Sequence, residues 1–274
     1  MEGRPSGIRE NATLAALRAG KVVIGAEATT DLRWIPVAYA AAGLDFVWID
    51  LEHTLLDLSA VAQHVQTARL AGITPLVRVP ALEGGLIRRL LDNGAQGIIL
   101  PFVERPEAAA ELVSFFRFHP EGRRGASSPL LAHDFEAVAF AEHVRHGHRS
   151  TLTCVQIEST AGVEAAAGIA RTPGLDLVVV GLYDLSLSLG VPGEIAHPRV
   201  EEGVRAVVDA CRSSGIAAGV AGAYAGPEDA ERLRRFADRG VRFFQCFSDV
   251  SLLHGALSEH AERIRRALDL PREG

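Results

Sequence analysis

Lysine is almost missing from this 274-residue chain: Lys21 is the only one, and arginine supplies every other basic side chain. Chemistry that runs through a lysine imine therefore has a single candidate. Cysteine is scarce as well. Cys154, Cys211 and Cys246 lie too far apart for metal-ligand spacing, and an odd, small count fits a reducing cytoplasm rather than a disulfide scaffold. No apolar run approaches the length that spans a bilayer; candidates such as Leu175 to Val180 are strand-sized. No block of basic residues occurs and the net charge is −6, which excludes a nucleic-acid-binding stripe. The start, Met1 to Asn11, is polar and lacks the apolar segment of a secretory signal, so a cytoplasmic location is expected.

What is present is a compact globular composition, 48% hydrophobic and 23% charged. Short runs rich in Val and Ile alternate with longer amphipathic stretches, the pattern of parallel βα units. Strands are expected near Val22–Ala26, Phe46–Asp50, Pro75–Val79, Gly97–Pro101, Thr153–Ile157, Leu177–Val180, Ala217–Val220 and Phe243–Cys246. Helical patterns between them include Leu58–Ala71, Leu86–Asn93, Pro106–Phe116, Gly162–Arg171, Val200–Ser213 and Pro227–Arg239. Gly72, Gly94, Gly174, Gly215 and Gly240 each follow a helix and precede a strand, where a left-handed closing residue is needed. The expectation is one α/β domain over residues 1–274, a (β/α)8 barrel of the TIM type. Extra helices are expected at Asn11–Ala19, closing the barrel bottom, at Phe135–His143, and at Val250–Leu268. An open doubly wound sheet is the rival. It lacks its glycine fingerprint after the first strand, since Gly219-Val-Ala-Gly222 comes late and has the wrong spacing.

In such a barrel, catalytic groups gather at the C-terminal ends of strands. Polar residues recur there: Asp50-Leu51-Glu52-His53, Arg78, Gln156-Ile157-Glu158, Gly181-Leu182-Tyr183-Asp184 and Ser248-Asp249. Two carboxylates from neighbouring strands, Glu158 and Asp184, suit a hard divalent cation completed by water. Such an ion could chelate a 2-oxo acid and stabilise its enolate. Arg78 would set positive charge beside the enolate oxygen. His53, whose ordinary pKa is near neutral, is the candidate proton carrier, and Asp50 could orient it directly or through water. The plain alternative for Glu158 and Asp184 is a helix N-cap, because each precedes a helical run. Lys21 precedes the first strand, at the wrong end for an imine in the mouth.

These residues resemble the class II pyruvate aldolases of the HpcH/HpaI type, the 4-hydroxy-2-oxo acid aldolases. The matching stretches include Asn11–Gly25, Phe46–His53 with its Asp-x-Glu-His, and Pro75–Pro80 with the arginine. Ile87–Val103 resembles the family's I-x-x-L-L-D-x-G-A-Q…P, and Pro120–Gly125 its P-x-G-x-R-G. Val155–Glu158 resembles V-Q-I-E, Asp184–Gly190 D-L-S-x-S-L-G, and Ser248–Leu253 S-D-x-x-L-L. The resemblance implies a Mg, Mn or Co ion on Glu158 and Asp184, and pyruvate held by Arg78 and Gln156. It implies an acid–base role for His53 with Asp50, support from Glu52, and backbone amides near Gly181 receiving the pyruvate carboxylate. It also implies a homohexamer whose C-terminal helix is exchanged between subunits. Two departures stand out. Leu182 replaces a usual proline, though it still offers a backbone N–H, and Ala126 to His133 departs from a glycine-rich pattern, which bears on the aldehyde.

The implied reaction is reversible cleavage of a 4-hydroxy-2-oxo acid to pyruvate and an aldehyde, with oxaloacetate decarboxylation through the same enolate. A citramalyl- or malyl-CoA lyase-like enzyme is one alternative, and it should carry a basic cleft. A non-catalytic barrel that binds an oxo acid is the other. Tyr183 could touch substrate or simply pack. His143, His146 and His148 are expected to be solvated at a surface helix end, Cys246 to be a buried hydrophobe, and Trp34 and Trp48 to be core or subunit contacts.

Overall fold

The computed structural model of the chain describes residues 9–127, 131–222 and 229–271. Eight parallel strands close into a barrel in chain order. They are β1 (Val23–Ala28), β2 (Phe46–Asp50), β3 (Thr74–Arg78), β4 (Gly97–Leu100), β5 (Leu152–Ile157), β6 (Leu177–Gly181), β7 (Ala217–Ala221) and β8 (Val241–Ser248), each overlapping its expected segment. The helices are α1 (Ala12–Arg18), α2 (Ile35–Ala41), α3 (Leu58–Ala71), α4 (Gly84–Asp92), α5 (Pro106–Phe116), α6 (Phe140–Ser150), α7 (Thr160–Ala170), α8 (Leu182–Ser188), α9 (Pro198–Ser214), α10 (Ala230–Arg239) and α11 (Asp249–Ala267). Among the described residues no helix is long and apolar enough to cross a membrane.

Local chemistry explains where helices begin and end. The Asp57 carboxylate accepts from the Ala60 N–H at 2.8 Å and starts α3, while Gly72, at φ +81°, ends it. α5 opens on Pro106, which has no N–H to leave unpaired.

Strand alternation divides the apolar residues into two sets. Inward positions, including Val23, Phe46, Trp48, Leu76, Ile99, Cys154, Val179 and Phe243, fill the barrel itself. Outward positions, including Val47, Ile49, Val77, Ile98, Val155, Val178 and Val180, pack under the helices. The bottom is closed by α1, whose Leu14 and Leu17 join the inner set. Asn11 fastens this plug twice, accepting from Leu14 N–H at 2.9 Å and donating to the Gln96 carbonyl at 2.8 Å.

The structure departs from expectation in places. α2 was not anticipated, because a seven-residue helix carries too little periodicity to announce itself, and the helical run expected after Asp184 begins two residues before it, at Leu182, as α8. The helix expected at Phe135–His143 begins instead at Phe140, since Asp134 and Phe135 take left-handed conformations with φ of +53° and +66°. The start of the Pro227–Arg239 pattern lies outside the described residues. Nor are the three histidines of α6 solvated. His143 is buried, with Nδ1 2.8 Å from His133 Nε2, and the His146 ring meets that of His133 edge-on with centroids 5.4 Å apart. His148 accepts from the Phe118 N–H at 3.0 Å. Burial, aided by Arg124 and His133, pushes His143 down to about 4, and burial does the same for His146. Trp48 is wholly buried inside the barrel, whereas Trp34 is exposed.

Candidate active site

The inward row of each strand continues upward from the apolar layers into the mouth. Two residues beyond Trp48 stands Asp50; two beyond Leu76, Arg78; two and four beyond Cys154, Gln156 and Glu158; two and four beyond Val23, Gly25 and Glu27. The same alternation that packs the core therefore aims the polar groups into one opening. A cavity of about 640 Å³ lies there, lined by Glu27, His53, Arg78, Gln156, Glu158 and Asp184 among others. His53, Arg78, Gln156, Glu158, Gly181, Leu182, Tyr183 and Asp184 all line this cavity; Asp50 and Glu52 do not line it and instead hold Arg78.

Arg78 is the hub of one wall. Its Nε donates to Asp50 Oδ1 at 2.8 Å, and its terminal nitrogens lie 3.1 Å from Glu27 Oε1 and 3.2 Å from Glu52 Oε2. The guanidinium carbon sits 5.3 Å from the centroid of the Trp48 ring. Burial opposes its charge, but the hydrogen bond and charge of Asp50, with Glu27 and Glu52, more than offset this and hold the pKa above its ordinary value. Burial pushes Glu27 up to about 7 despite Arg78, and raises Glu52 against the pull of Arg78 and His53.

The partner expected for the His53 ring needs correcting. Asp50 accepts the backbone N–H groups of Glu52 and His53 at 3.0 and 3.1 Å, shaping the loop. The carboxylate facing the imidazole is that of Glu52, with Oε2 3.5 Å from Nε2. His53 itself is largely open to solvent at the rim, its side chain 61% exposed.

Across the cavity, Glu158 is buried and held on both oxygens. Oε2 accepts from the Phe102 N–H at 2.9 Å, and Oε1 from Gln156 Nε2 at 3.1 Å. Phe102 makes its bond from a left-handed backbone, φ +51°. A Cβ on Gly181 would come within 2.4 Å of Glu158 Oε1, so only glycine leaves room for this carboxylate. Burial pushes Glu158 up to about 7, the Phe102 N–H only partly opposing it. Neither Glu158 nor Asp184 serves as an N-cap: Ser159 caps α7, and Asp184 lies in the first turn of α8 with its side chain at the cavity.

The carboxylate pair fits a divalent cation on three observations. Among the described residues the buried Glu158 carboxyl has no cationic partner within ion-pair distance and Gln156 Oε1 is buried with no hydrogen-bond partner, and Gly181 keeps the approach open. Among the described residues no group of three or more His, Cys, Asp or Glu side chains forms a metal cage, so substrate and water would complete the shell of a two-carboxylate site.

Several lining residues were not anticipated, among them Glu27, Gln245 and Glu259. Glu27 shares the strand alternation of Val23 and Gly25, a readable signal had β1 been carried past Ala26. Gln245 bridges strands, accepting from Gly222 N–H at 2.9 Å and donating to the Phe247 carbonyl at 3.0 Å. Ser248 caps α11, and Asp249 bonds the backbone and hydroxyl groups of Thr29 and Thr30, so this pair ties α11 to the end of β1. Cys246 is half-buried at the cavity edge, and burial pushes its thiol up to about 11. Tyr183 is exposed, its ring standing over Gly222.

A closed eight-stranded parallel barrel with carboxylates and an arginine gathered at its C-terminal mouth is the arrangement of a barrel enzyme. Comparison with known proteins narrows this. Residues 36–255 match the family model described as HpcH/HpaI aldolase/citrate lyase. A hydroxypyruvate/pyruvate aldolase of Chromohalobacter salexigens is 35% identical over 227 residues, spanning 82% of this chain and 87% of that protein. A 5-keto-4-deoxy-D-glucarate aldolase of Shigella boydii is 31% identical over 266 residues, 97% and 100% of the two chains. The crystal structure of an HpcH/HpaI aldolase from Desulfitobacterium hafniense superposes with a TM-score of 0.86 at 31% identity, covering 95% of this chain and 98% of that one. The chain belongs to the HpcH/HpaI aldolase/citrate lyase family, and is an enzyme of the aldolase/lyase kind.

Proposed function

We propose that this protein is a divalent-metal-dependent aldolase that reversibly cleaves a 4-hydroxy-2-oxo acid to pyruvate and an aldehyde. The observation that carries the reading is the shared cavity of Glu158 and Asp184 with Arg78 and Gln156. Glu158 and Asp184 would hold Mg, Mn or Co, and such an ion supplies Lewis-acid polarisation of the keto oxygen. The chain's own residues do the rest. Arg78, held in a fixed orientation by Asp50, sets positive charge beside the oxygen that becomes enolate. Gln156 offers its spare amide oxygen, and the amides at Gly181, Leu182 and Tyr183, at the start of α8 where intrahelical acceptors are lacking, receive the substrate carboxylate. His53, exposed at the rim beside Glu52, takes the proton of the C4 hydroxyl in cleavage and returns it in synthesis. Asp50 shapes the loop that carries His53. Oxaloacetate decarboxylation follows from the same enolate stabilisation.

The CoA-lyase alternative gains no support, because Arg78 is the one arginine among the described residues lining the cavity. Apolar surface supports a homo-oligomer, a hexamer with exchanged C-terminal helices. α11 leaves Leu253, Leu257 and Ile264 exposed, with Leu268 just past its end, and Ile24, Trp34 and Val37 are exposed as well. A cytoplasmic location accords with three free thiols. The test is NMR in D2O with pyruvate and Mn or Mg: metal-dependent deuterium entry at the methyl group is expected. Exchange that persists undiminished in Glu158→Ala would refute the metal assignment.

A further inference from the structure

Glu27 is a half-buried acid that the chemistry above does not use. β1 lies across the eight-strand ring from β5, so Glu27 faces the cavity from the wall opposite the one that carries Glu158. Two devices hold it there. The β1–β8 register shifts between Gly25 and Glu27, and the Tyr39 hydroxyl donates to the Glu27 carbonyl at 2.6 Å, pinning the strand end. One carboxylate oxygen takes Arg78, yet Arg78 is already shared with Asp50 and Glu52, so Glu27 is not needed to neutralise it. The side chain keeps 20% of its surface open to the cavity.

On the reading proposed above, a keto acid anchored at the β5–β6 wall extends its C4 end toward β1 and β8. That end meets Glu27, with Ser248, Ser251 and Glu259 beyond it. Among the described lining residues the cationic groups are Arg78 and, when protonated, His53, and both sit on the β2–β3 side. A second carboxylate on the incoming aldehyde would face Glu27 in a half-desolvated space whose nearby cation, Arg78, is already shared among Glu27, Asp50 and Glu52, whereas a hydroxyl can donate to Glu27. We propose that Glu27 is a specificity-determining residue that selects neutral, hydroxylated aldehydes and turns away aldehydes bearing a carboxylate. This rests on the aldolase reading.

The test is the ratio of kcat/KM for aldol addition of pyruvate, with Mn present, to neutral and acidic acceptors. Glycolaldehyde is set against glyoxylate, and glyceraldehyde against succinic semialdehyde. Any disturbance of pyruvate binding is common to both members of a pair and cancels in the ratio. The native enzyme should favour the neutral member by about tenfold or more. Glu27→Gln, with Glu27→Ser as a second variant should the first fail to fold, should narrow that ratio by about tenfold, with the gain falling on the acidic acceptor. A native preference for the acidic members, or a ratio that neither variant moves, overturns the assignment. If the native enzyme shows no metal-dependent deuterium entry into pyruvate, the aldolase reading falls and takes this one with it. Exchange with an unmoved ratio removes Glu27 alone.

Discussion

The two ends of this barrel are built from the same strands and solve opposite problems. At the floor, α1 seats Leu14 and Leu17 against inward side chains, and the polar groups nearby are paired: Asn11 with Gln96, Thr13 with the Asp45 carbonyl, Arg18 with Asp176. At the mouth, Glu27, Glu52 and Glu158 are all held above the ordinary carboxylate pKa by burial, and Gln156 Oε1 has no partner. Leaving buried polar groups so poorly compensated costs stability, and a fold tolerates it where a ligand will supply the missing charge. The floor holds the fold together. The mouth holds potential for binding at the floor's expense.

The sharpest way to separate the two ends is to remove a mouth carboxylate. Glu158→Ala should lower metal-dependent exchange at the pyruvate methyl by about 10²–10³-fold or more. The melting temperature without metal should stay level or rise, and the stabilisation that added Mn gives the native protein should vanish. A variant that melts far below the native protein would mean Glu158 is part of the scaffold. Gly181→Ala is a gentler blow to the same place. Its φ of −80° accepts alanine, but the new Cβ would press on Glu158 Oε1, so Mn affinity by titration should fall about 10–100-fold with the fold intact. Unchanged affinity would show that the Glu158 carboxylate has room to move.

A floor substitution should do the reverse. Leu14→Ala removes a buried side chain from the plug and should cost about 2–4 kcal/mol of stability in denaturant titrations, while kcat/KM of the folded fraction stays near native. A comparable loss of activity would tie the two ends together. The mildest effect concerns acid. His143 and His146 titrate near 4 in the folded chain, against about 6.5 when unfolded. Between those values the unfolded chain takes up protons that the folded one refuses, so stability declines as pH falls from about 6.5 and levels off near 4. His143→Gln should flatten this part of the melting-temperature profile; a profile of unchanged slope would locate the acid sensitivity elsewhere.

Much of this was legible beforehand, for reasons that can be named. Period-two apolar runs and closing glycines mark strands and helix ends directly, which is why α3 and α5 fall on their expected bounds. Arg78, Glu158 and Asp184 stand at strand ends where a barrel gathers chemistry, so their common cavity could be anticipated. Glu27 escaped because β1 was taken to end at Ala26, although the inward alternation runs two residues further. The histidines of α6 were misjudged because periodicity describes a helix face and is silent about what covers it; here His133, arriving from the preceding loop, covers His143.

By itself the sequence determined the order of strands, the inward or outward face of each side chain, and the placing of the one lysine ahead of the first strand, because these depend on local alternation and on residue supply. Tertiary structure alone decided partners. It gave Asp50 to Arg78 rather than to the His53 ring, put Glu52 beside that ring, and fitted Gly181 under Glu158. Such choices turn on distances of a few tenths of an ångström between strands far apart in the chain, and only closure of the barrel sets those distances.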